Sequence, residues 1–228
     1  SANYVIFVNF EDFDTSIKNV INKNINSKIT FFSGYDCDSL ALENVTGFAK
    51  HILRFFQHYP EVDIEFRTKS IQREPFMSIE PMKNVIMAYS LMPDLMSSAL
   101  DNKVPSISKR IKVISDLALR GWKIGLRFDP LIHGENWKSL YENLLEKVYN
   151  SIPLESIHSV SVGPLRFPKK MFKDIFKLYP KELLFTGPLS TNKDVISYDT
   201  KIEEEMSVFC KNLTLKYLDN SQFFRCYA

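Results

Sequence analysis

Gly34-Tyr35-Asp36-Cys37-Asp38 closes a short apolar run and opens a helix-like stretch, and the chain repeats this figure four more times. The other run-ends read Arg67-Thr68-Lys69, Tyr89-Ser90, Arg127-Phe128-Asp129 and Gly163-Pro164-Leu165-Arg166. Strands of a parallel α/β sheet are buried on both faces and read as continuous apolar runs. Polar groups gather at their C-terminal ends, where ligands bind. The figure therefore predicts an architecture and the edge of it that holds the chemistry.

Outward from these run-ends, strands are expected at Lys28 to Ser33, Val62 to Phe66, Asn84 to Ala88, Trp122 to Phe128 and Ile157 to Val162, with a shorter extended run at Val5 to Val8. Apolar residues spaced by three and four predict the intervening helices. Ile17, Val20 and Ile21 mark the first, and Leu42, Val45, Ala49, Ile52, Leu53 and Phe56 the second. Pro105 and Ser106 open a third through Ile107, Ile111, Ile114 and Ala118, stopped by Gly121. Trp137, Tyr141, Leu144 and Val148 mark a fourth, and Pro168 starts a fifth through Met171, Phe172, Ile175 and Tyr179. Residues 91 to 103 read as a polar connection rich in methionine, and Pro130 as a strand breaker. Beyond Leu183 the chain is turn-rich, then helical from Glu203 to Leu218, then an extended tail.

Five β/α units cannot close a barrel. The expected fold class is α/β, an open partial barrel of β/α units missing its first strand, with a C-terminal hairpin and helix appendage. The barrel occupies residues 1–182 and the appendage residues 183–228.

A chain of 228 residues, 45% apolar and 13% aromatic, can bury one large core. A formal charge of +2 does not signal a nucleic-acid binder by itself, so any DNA contact needs a local basic patch. Cys37, Cys210 and Cys226 are far apart and odd in number, which fits neither a disulfide framework nor a C-x-x-C metal site. No apolar stretch reaches the length of a membrane span and no signal peptide is evident, so the expected place is the cytoplasm, with no membrane partner. The chain starts Ser1-Ala2 without methionine, which points to a processed or engineered N-terminus and to sequence upstream.

Each candidate at the strand ends has a functional and a structural reading. Lys69 offers an ammonium to a carboxylate or phosphate, or is a solvated lysine in a βα turn. Ser90 can meet a ribose hydroxyl or cap the next turn. Gly34 permits close backbone approach to a ligand, Asp38 binds it or caps a helix, and Cys37 is reactive or a small buried hydrophobe. Asp129, before Pro130, is a substrate-binding carboxylate or a turn opener. His133 reads as a loop histidine. Lys169, Lys170, Lys173 and Lys177 share one side of a helix and either track phosphates or make a solvated face.

Taken in order, these segments resemble the spore photoproduct lyase family of radical S-adenosylmethionine enzymes. The matching stretches are Val8-Asn9, Gly34 to Glu43, Glu65-Phe66-Arg67-Thr68-Lys69-Ser70, Ala88-Tyr89-Ser90-Leu91, Ser108-Lys109-Arg110-Ile111, Gly121-Trp122, Arg127-Phe128-Asp129-Pro130, Trp137 with Tyr141, and Leu165-Arg166-Phe167-Pro168. The resemblance implies a partial (β/α)6 TIM-like barrel, with a [4Fe-4S] cluster and S-adenosylmethionine at the strand ends of the complete protein. It also implies an electron donor such as flavodoxin or ferredoxin, and a 5'-deoxyadenosyl radical that abstracts hydrogen from a thymine dimer in DNA. In that scheme Lys69 pairs with the methionine carboxylate, Ser90 contacts the ribose, and the turn from Gly34 to Asp38 meets the methionine end of the cofactor.

The sequence departs from the family in three places. The C-x-x-x-C-x-x-C motif that ligates the cluster, which in the family lies just upstream of the segment matching Tyr4 to Asn9, is absent from this chain, so no metal ligands and no cluster are expected in it and it should be inactive alone. Cloning, proteolysis or evolution could each have removed that segment. The family's hydrogen-donating cysteine falls in register with Tyr35, and Cys37 lies two positions later on the same face of an extended segment, which makes Cys37 and Tyr35 the candidate catalytic residues. The family's lesion-contacting arginine falls near Asn192-Lys193, leaving Lys193 and Tyr198, with Asp129, as candidate substrate contacts. The competing expectation is a non-catalytic nucleic-acid-binding or degenerate barrel domain without a cluster.

Overall fold

The computed structural model describes residues 5–34 and 37–226. Six parallel strands lie side by side: β1 (Thr30–Ser33), β2 (Asp63–Thr68), β3 (Val85–Ser90), β4 (Lys123–Leu131), β5 (Ile157–Pro164) and, from the far end of the chain, Phe223–Arg225. The sheet curls into a half-barrel. The helices α1 (Phe10–Lys23), α2 (Glu43–Thr46), α3 (Phe48–Phe56), α4 (Glu74–Met77), α5 (Asp94–Leu100), α6 (Ile107–Arg120) and α7 (Trp137–Tyr149) form the crossovers and the segment leading into the sheet. After β5 come β6 (Arg166–Pro168), α8 (Lys169–Leu178), β7 (Leu189–Asn192), β8 (Val195–Tyr198), α9 (Thr200–Thr214) and the sixth sheet strand, β9 (Phe223–Arg225). The strands β6, β8 and β7 form a small antiparallel sheet in that order.

Residues two apart on a strand share a face, and here the two faces differ in kind. Ile64 and Phe66, Val85 and Met87, Ile124, Leu126 and Phe128, and Val160 and Val162 are buried and point to the helical layer. Phe66 meets Phe76 of α4 edge to face at 5.4 Å, and Phe76 meets Trp122 at 5.5 Å. The concave face carries Glu65, Arg67, Ala88, Ser90, Gly125, Arg127, Asp129, Ser159 and Ser161. The expectation of strands apolar on both faces is corrected on this point: one side is apolar, and the other is mostly small or charged, with Phe32 and Ile86 in register beside Glu65.

A buried ion pair crosses the concave face. The Arg127 guanidinium donates from Nη2 to Glu65 Oε2 at 2.6 Å and from Nε to Oε1 at 3.1 Å, with both side chains 5% exposed. Arg67 donates to the same Oε1, and Arg127 also reaches the carbonyl and hydroxyl of Ser159. The guanidinium lies over Gly125, where an added Cβ would stand 2.7 Å from Nη2.

Several local expectations change. Residues 5 to 9 form no strand, and Val5, Phe7 and Val8 are exposed. The expected second helix divides at Gly47, whose φ of 60° ends α2 and leaves Val45 outside the core. Residues 94 to 100, read as a connection, are helical. Pro130 does not end β4; the pairing with β5 shifts register between Phe128 and Leu131 and continues. The C-terminal tail returns to the main sheet as β9, carried there by α9, whose Met206, Cys210 and Leu213 are buried.

The ion pair sets a stability prediction. Burial acts to raise the Glu65 pKa, but hydrogen bonds and charge from Arg127 and Arg67 outweigh it and hold the carboxyl below its ordinary value. Arg127→Met leaves that buried carboxylate with Arg67 alone and is expected to cost about 3 kcal/mol at neutral pH. A depressed folded pKa gives stability that is present above the unfolded value, near ~4.3, and lost as pH falls through the folded one. Denaturant unfolding should therefore show the gap between parent and variant narrowing below about pH 4; a gap that stays constant with pH would refute the pairing.

Candidate functional site

A cleft of about 530 Å³ opens at the C-terminal ends of β1 to β5. Six of the residues singled out from sequence line it: Gly34, Cys37, Asp38, Lys69, Ser90 and Asp129. Arg67, Thr68 and Arg166 complete the lining.

The loop after β1 is held to the end of β2 by Asp38. Its Oδ1 accepts from the backbone of Leu40 and Ala41 and from the Thr68 hydroxyl at 2.7–2.9 Å, and Oδ2 accepts from Lys69 N–H at 2.7 Å. The carboxylate is thus a brace between two strand ends, with four donors already on it. Ser39 adds a second tie, donating to Ser33 O and accepting from Arg67 N–H. Gly34, at φ +80°, leaves room for that tie: an added Cβ would stand 2.5 Å from Ser39 Oγ and 2.6 Å from Cys37 O. The atoms that require glycine belong to its own loop. Cys37 is exposed at the rim. Tyr35 lies outside the described residues.

Lys69 leaves the end of β2, and its Nζ is 2.6 Å from Asp101 Oδ1. The other Asp101 oxygen accepts from Ser97 Oγ at 3.1 Å and from Arg110 Nη2 at 3.0 Å. Burial pushes the Asp101 pKa up, but Lys69 and Arg110 more than offset this and hold it below the ordinary carboxylate value. Arg110 has no exposed side-chain surface. It also donates to Pro105 O at 2.8 Å and, through Nη1, to the backbone carbonyl of Ser90 at 3.1 Å. Lys69 and Ser90 therefore rest on the same buried guanidinium. The set Lys69, Asp101 and Arg110 keeps one net positive charge behind the cleft, while the half-buried Ser90 hydroxyl has no hydrogen bond among the described residues.

On the opposite wall, Arg166 grips Asp129 with two parallel bonds, Nη1 to Oδ1 at 3.0 Å and Nη2 to Oδ2 at 2.9 Å. Gly163 makes room for the pair, since a Cβ there would stand 2.7 Å from Arg166 Nη1. The Cys226 thiol lies beside it, its pKa pushed up by burial and by the Asp129 carboxylate.

Lys193 and Tyr198 are outside the cleft lining. Lys193 is exposed at the tip of the β7–β8 hairpin with φ 51°. Tyr198 is 4% exposed, and its hydroxyl accepts the His133 N–H at 2.9 Å, so its ring packs inside the protein and leaves no surface for a nucleic acid. Sequence reasoning placed Arg67 and Arg166 at the run-ends but gave them no role, and it gave none to Asp101 or Arg110. Arg110 had a legible signal: it falls between Ile107 and Ile114 on the stripe that α6 buries, so its charge had to be matched inside.

A lysine, an adjacent free serine hydroxyl and a net positive wall suit a ligand carrying a carboxylate and a diol. For a metal cluster the fit is different, because among the described residues no three His, Cys, Asp or Glu side chains gather as a metal site.

Comparisons with known proteins bear on the fold and on descent. The family model for spore photoproduct lyase matches residues 2–193. The spore photoproduct lyase of Clostridium acetobutylicum is 23% identical over 180 residues, 78% of this chain and 53% of the relative. That of Bacillus subtilis is 22% identical over 149 residues, 64% of this chain and 44% of the relative. The chain thus spans about half the length of the curated relatives it matches. Among solved structures, a spore photoproduct lyase variant superimposes with a TM-score of 0.86 at 15% identity, covering 98% of this chain and 68% of the other. Another variant, solved with bound AdoMet and dinucleoside spore photoproduct, gives a TM-score of 0.83 at 16% identity and the same coverage. At such identities the superpositions speak to the fold, and the family model speaks to descent. With most of its length matched by that model, this chain belongs to the spore photoproduct lyase family.

Proposed function

We propose that the cleft at the strand ends binds S-adenosylmethionine and that the complete protein repairs a thymine-dimer photolesion in DNA. The observation that carries the reading is the convergence of Lys69 and Ser90 on one cleft, with one buried guanidinium behind both. When bound with a reduced [4Fe-4S] cluster, S-adenosylmethionine supplies the hydrogen-abstracting chemistry. The cluster's thiolates, and an electron donor such as flavodoxin or ferredoxin, belong to the complete protein. The cytoplasm is the compartment that suits such a reduced centre.

The chain's own residues do the holding. Lys69 offers its ammonium to the methionine carboxylate, at a point where Asp101 fixes its direction without cancelling the charge that Arg110 contributes. Ser90 gives its hydroxyl to the ribose. The braced loop from Gly34 to Asp38 closes the methionine end, and Cys37 stands at its exposed rim, where a thiol can reach a substrate radical. Tyr35, two positions before Cys37 in the sequence, is the second candidate for hydrogen transfer. The Asp129 and Arg166 pair faces the lesion side of the cleft, with Lys193 on the adjoining hairpin as a DNA contact. Helices of the described residues are all too short or too polar to cross a membrane.

The reading predicts a graded loss of cofactor binding. A charge-assisted hydrogen bond is worth about 1.5–3 kcal/mol, so Lys69→Ala should weaken S-adenosylmethionine binding by roughly 10- to 100-fold in calorimetry. Ser90→Ala, which removes a neutral bond, should weaken it by less than about 10-fold. Equal affinities for parent and Lys69→Ala would overturn the assignment.

A further inference from the structure

We propose that the lysine face of α8, joined to the tip of the β7–β8 hairpin, binds the sugar-phosphate backbone of duplex DNA flanking the cleft. The position of the duplex rests on the proposed function above; the charged surface itself does not.

The helix has two distinct sides. At about 100° per residue, Lys169, Lys170, Lys173 and Lys177 fall within an arc of roughly 100°, and all four are exposed. An adjoining side, centred about 90° around the helix from the lysines, is anchored. Phe172 and Phe176 pack on Phe185 at 5.3 and 6.1 Å between ring centres, and Phe172 on Phe167 at 5.7 Å. These contacts fix the rotation of the helix and turn the lysines to solvent. None of the four forms an ion pair among the described residues, although Asp174 shares the helix, whereas Lys28, Lys69, Lys138 and Lys147 each have a carboxylate partner.

The face is continuous with the cleft. Arg166 lines the cleft, and β6 runs from it to Lys169 in three residues, about 10 Å of extended chain. The Lys169 N–H donates to Asp194 O at 2.8 Å, which docks the start of α8 against the hairpin tip beside Lys193. Arg166, Lys169, Lys170 and Lys193 therefore extend outward from the cleft on one side. From Lys169 to Lys177 the helix covers about 12 Å, which matches roughly three phosphates of one strand at ~3.4 Å of axial rise each. Exposed Met171, Leu178 and Leu183 offer a rival partner, an anionic membrane surface. The anchored aromatic side and the direct path from the cleft favour DNA.

The test uses the full chain and an undamaged fluorescent duplex of about 20 base pairs, or two helical turns. Binding is followed by anisotropy over a range of salt concentrations for the parent, for Lys169→Gln with Lys173→Gln and Lys177→Gln, and for a control triple at Lys50, Lys109 and Lys112. Each lost phosphate contact removes about 0.9 from the slope of log affinity against log salt. The α8 variant should lose about 2–3 units of slope and the control far less. Absence of duplex binding by the parent, equal slopes for the two variants, or loss of binding only to phosphatidylserine vesicles would each overturn the proposal. S-adenosylmethionine affinity is measured in parallel: its absence in the parent defeats the cofactor reading and leaves the salt slopes to judge α8 separately.

Discussion

Arg110 is a guanidinium with no contact with water, and the arrangement of the cleft depends on how it is satisfied. A buried charge is tolerated only when paired and fully hydrogen-bonded. Asp101, Ser97 and the carbonyls of Pro105 and Ser90 meet that demand. The same requirement draws three separate pieces of chain together: α6 supplies the cation, the end of α5 supplies the anion, and the end of β3 supplies a carbonyl. Lys69, from β2, then pairs with the outer oxygen of Asp101. A ligand entering the cleft meets an ammonium whose place is set by interior packing rather than by a flexible four-carbon stem.

The concave face repeats the logic on a larger scale. Glu65, Arg67 and Arg127 occupy the space that a closed barrel would fill with branched apolar side chains, and Gly125 and Gly163 are where guanidinium groups lie flat against the sheet. A half-barrel with a charged interior presents a polar trough leading to the strand ends. Such a trough suits a polar, charged ligand. It also puts stability and binding in one network, because Arg67 both lines the cleft and shares a carboxylate oxygen with Arg127.

The strand and helix alternation was legible because each run-end couples a change of period with a polar cluster. The edge that holds the cleft followed from it, and six of the eight candidates among the described residues line that cleft. Other features needed three dimensions. Asp63-Ile64-Glu65-Phe66-Arg67 and Gly125-Leu126-Arg127-Phe128-Asp129 alternate strictly, a period-2 signal of two unlike faces that a reading for buried parallel strands passes over. Residues 94 to 100 are helical because tertiary contacts, including Arg110 with Ser97, override a weak local pattern. Tyr198 is read from the family register as a surface contact, yet its hydroxyl is used on the His133 backbone. No local sequence signal distinguishes those two fates. Asp38 does not cap α2, whose N-cap is Leu42; its four donors tie the loop after β1 to the end of β2, a use that needs both segments in place.

The central claim is that the cleft is a cradle for a sulfonium nucleotide, with Lys69 and Ser90 at fixed places in it. A crystal structure of the chain grown with S-adenosylmethionine tests this most directly. The account predicts the methionine carboxylate at about 3 Å from Lys69 Nζ and a ribose hydroxyl at about 2.8 Å from Ser90 Oγ. Ligand density confined to the separate hollow formed by Leu154, Tyr217 and Gln222, with none at Lys69, would contradict it.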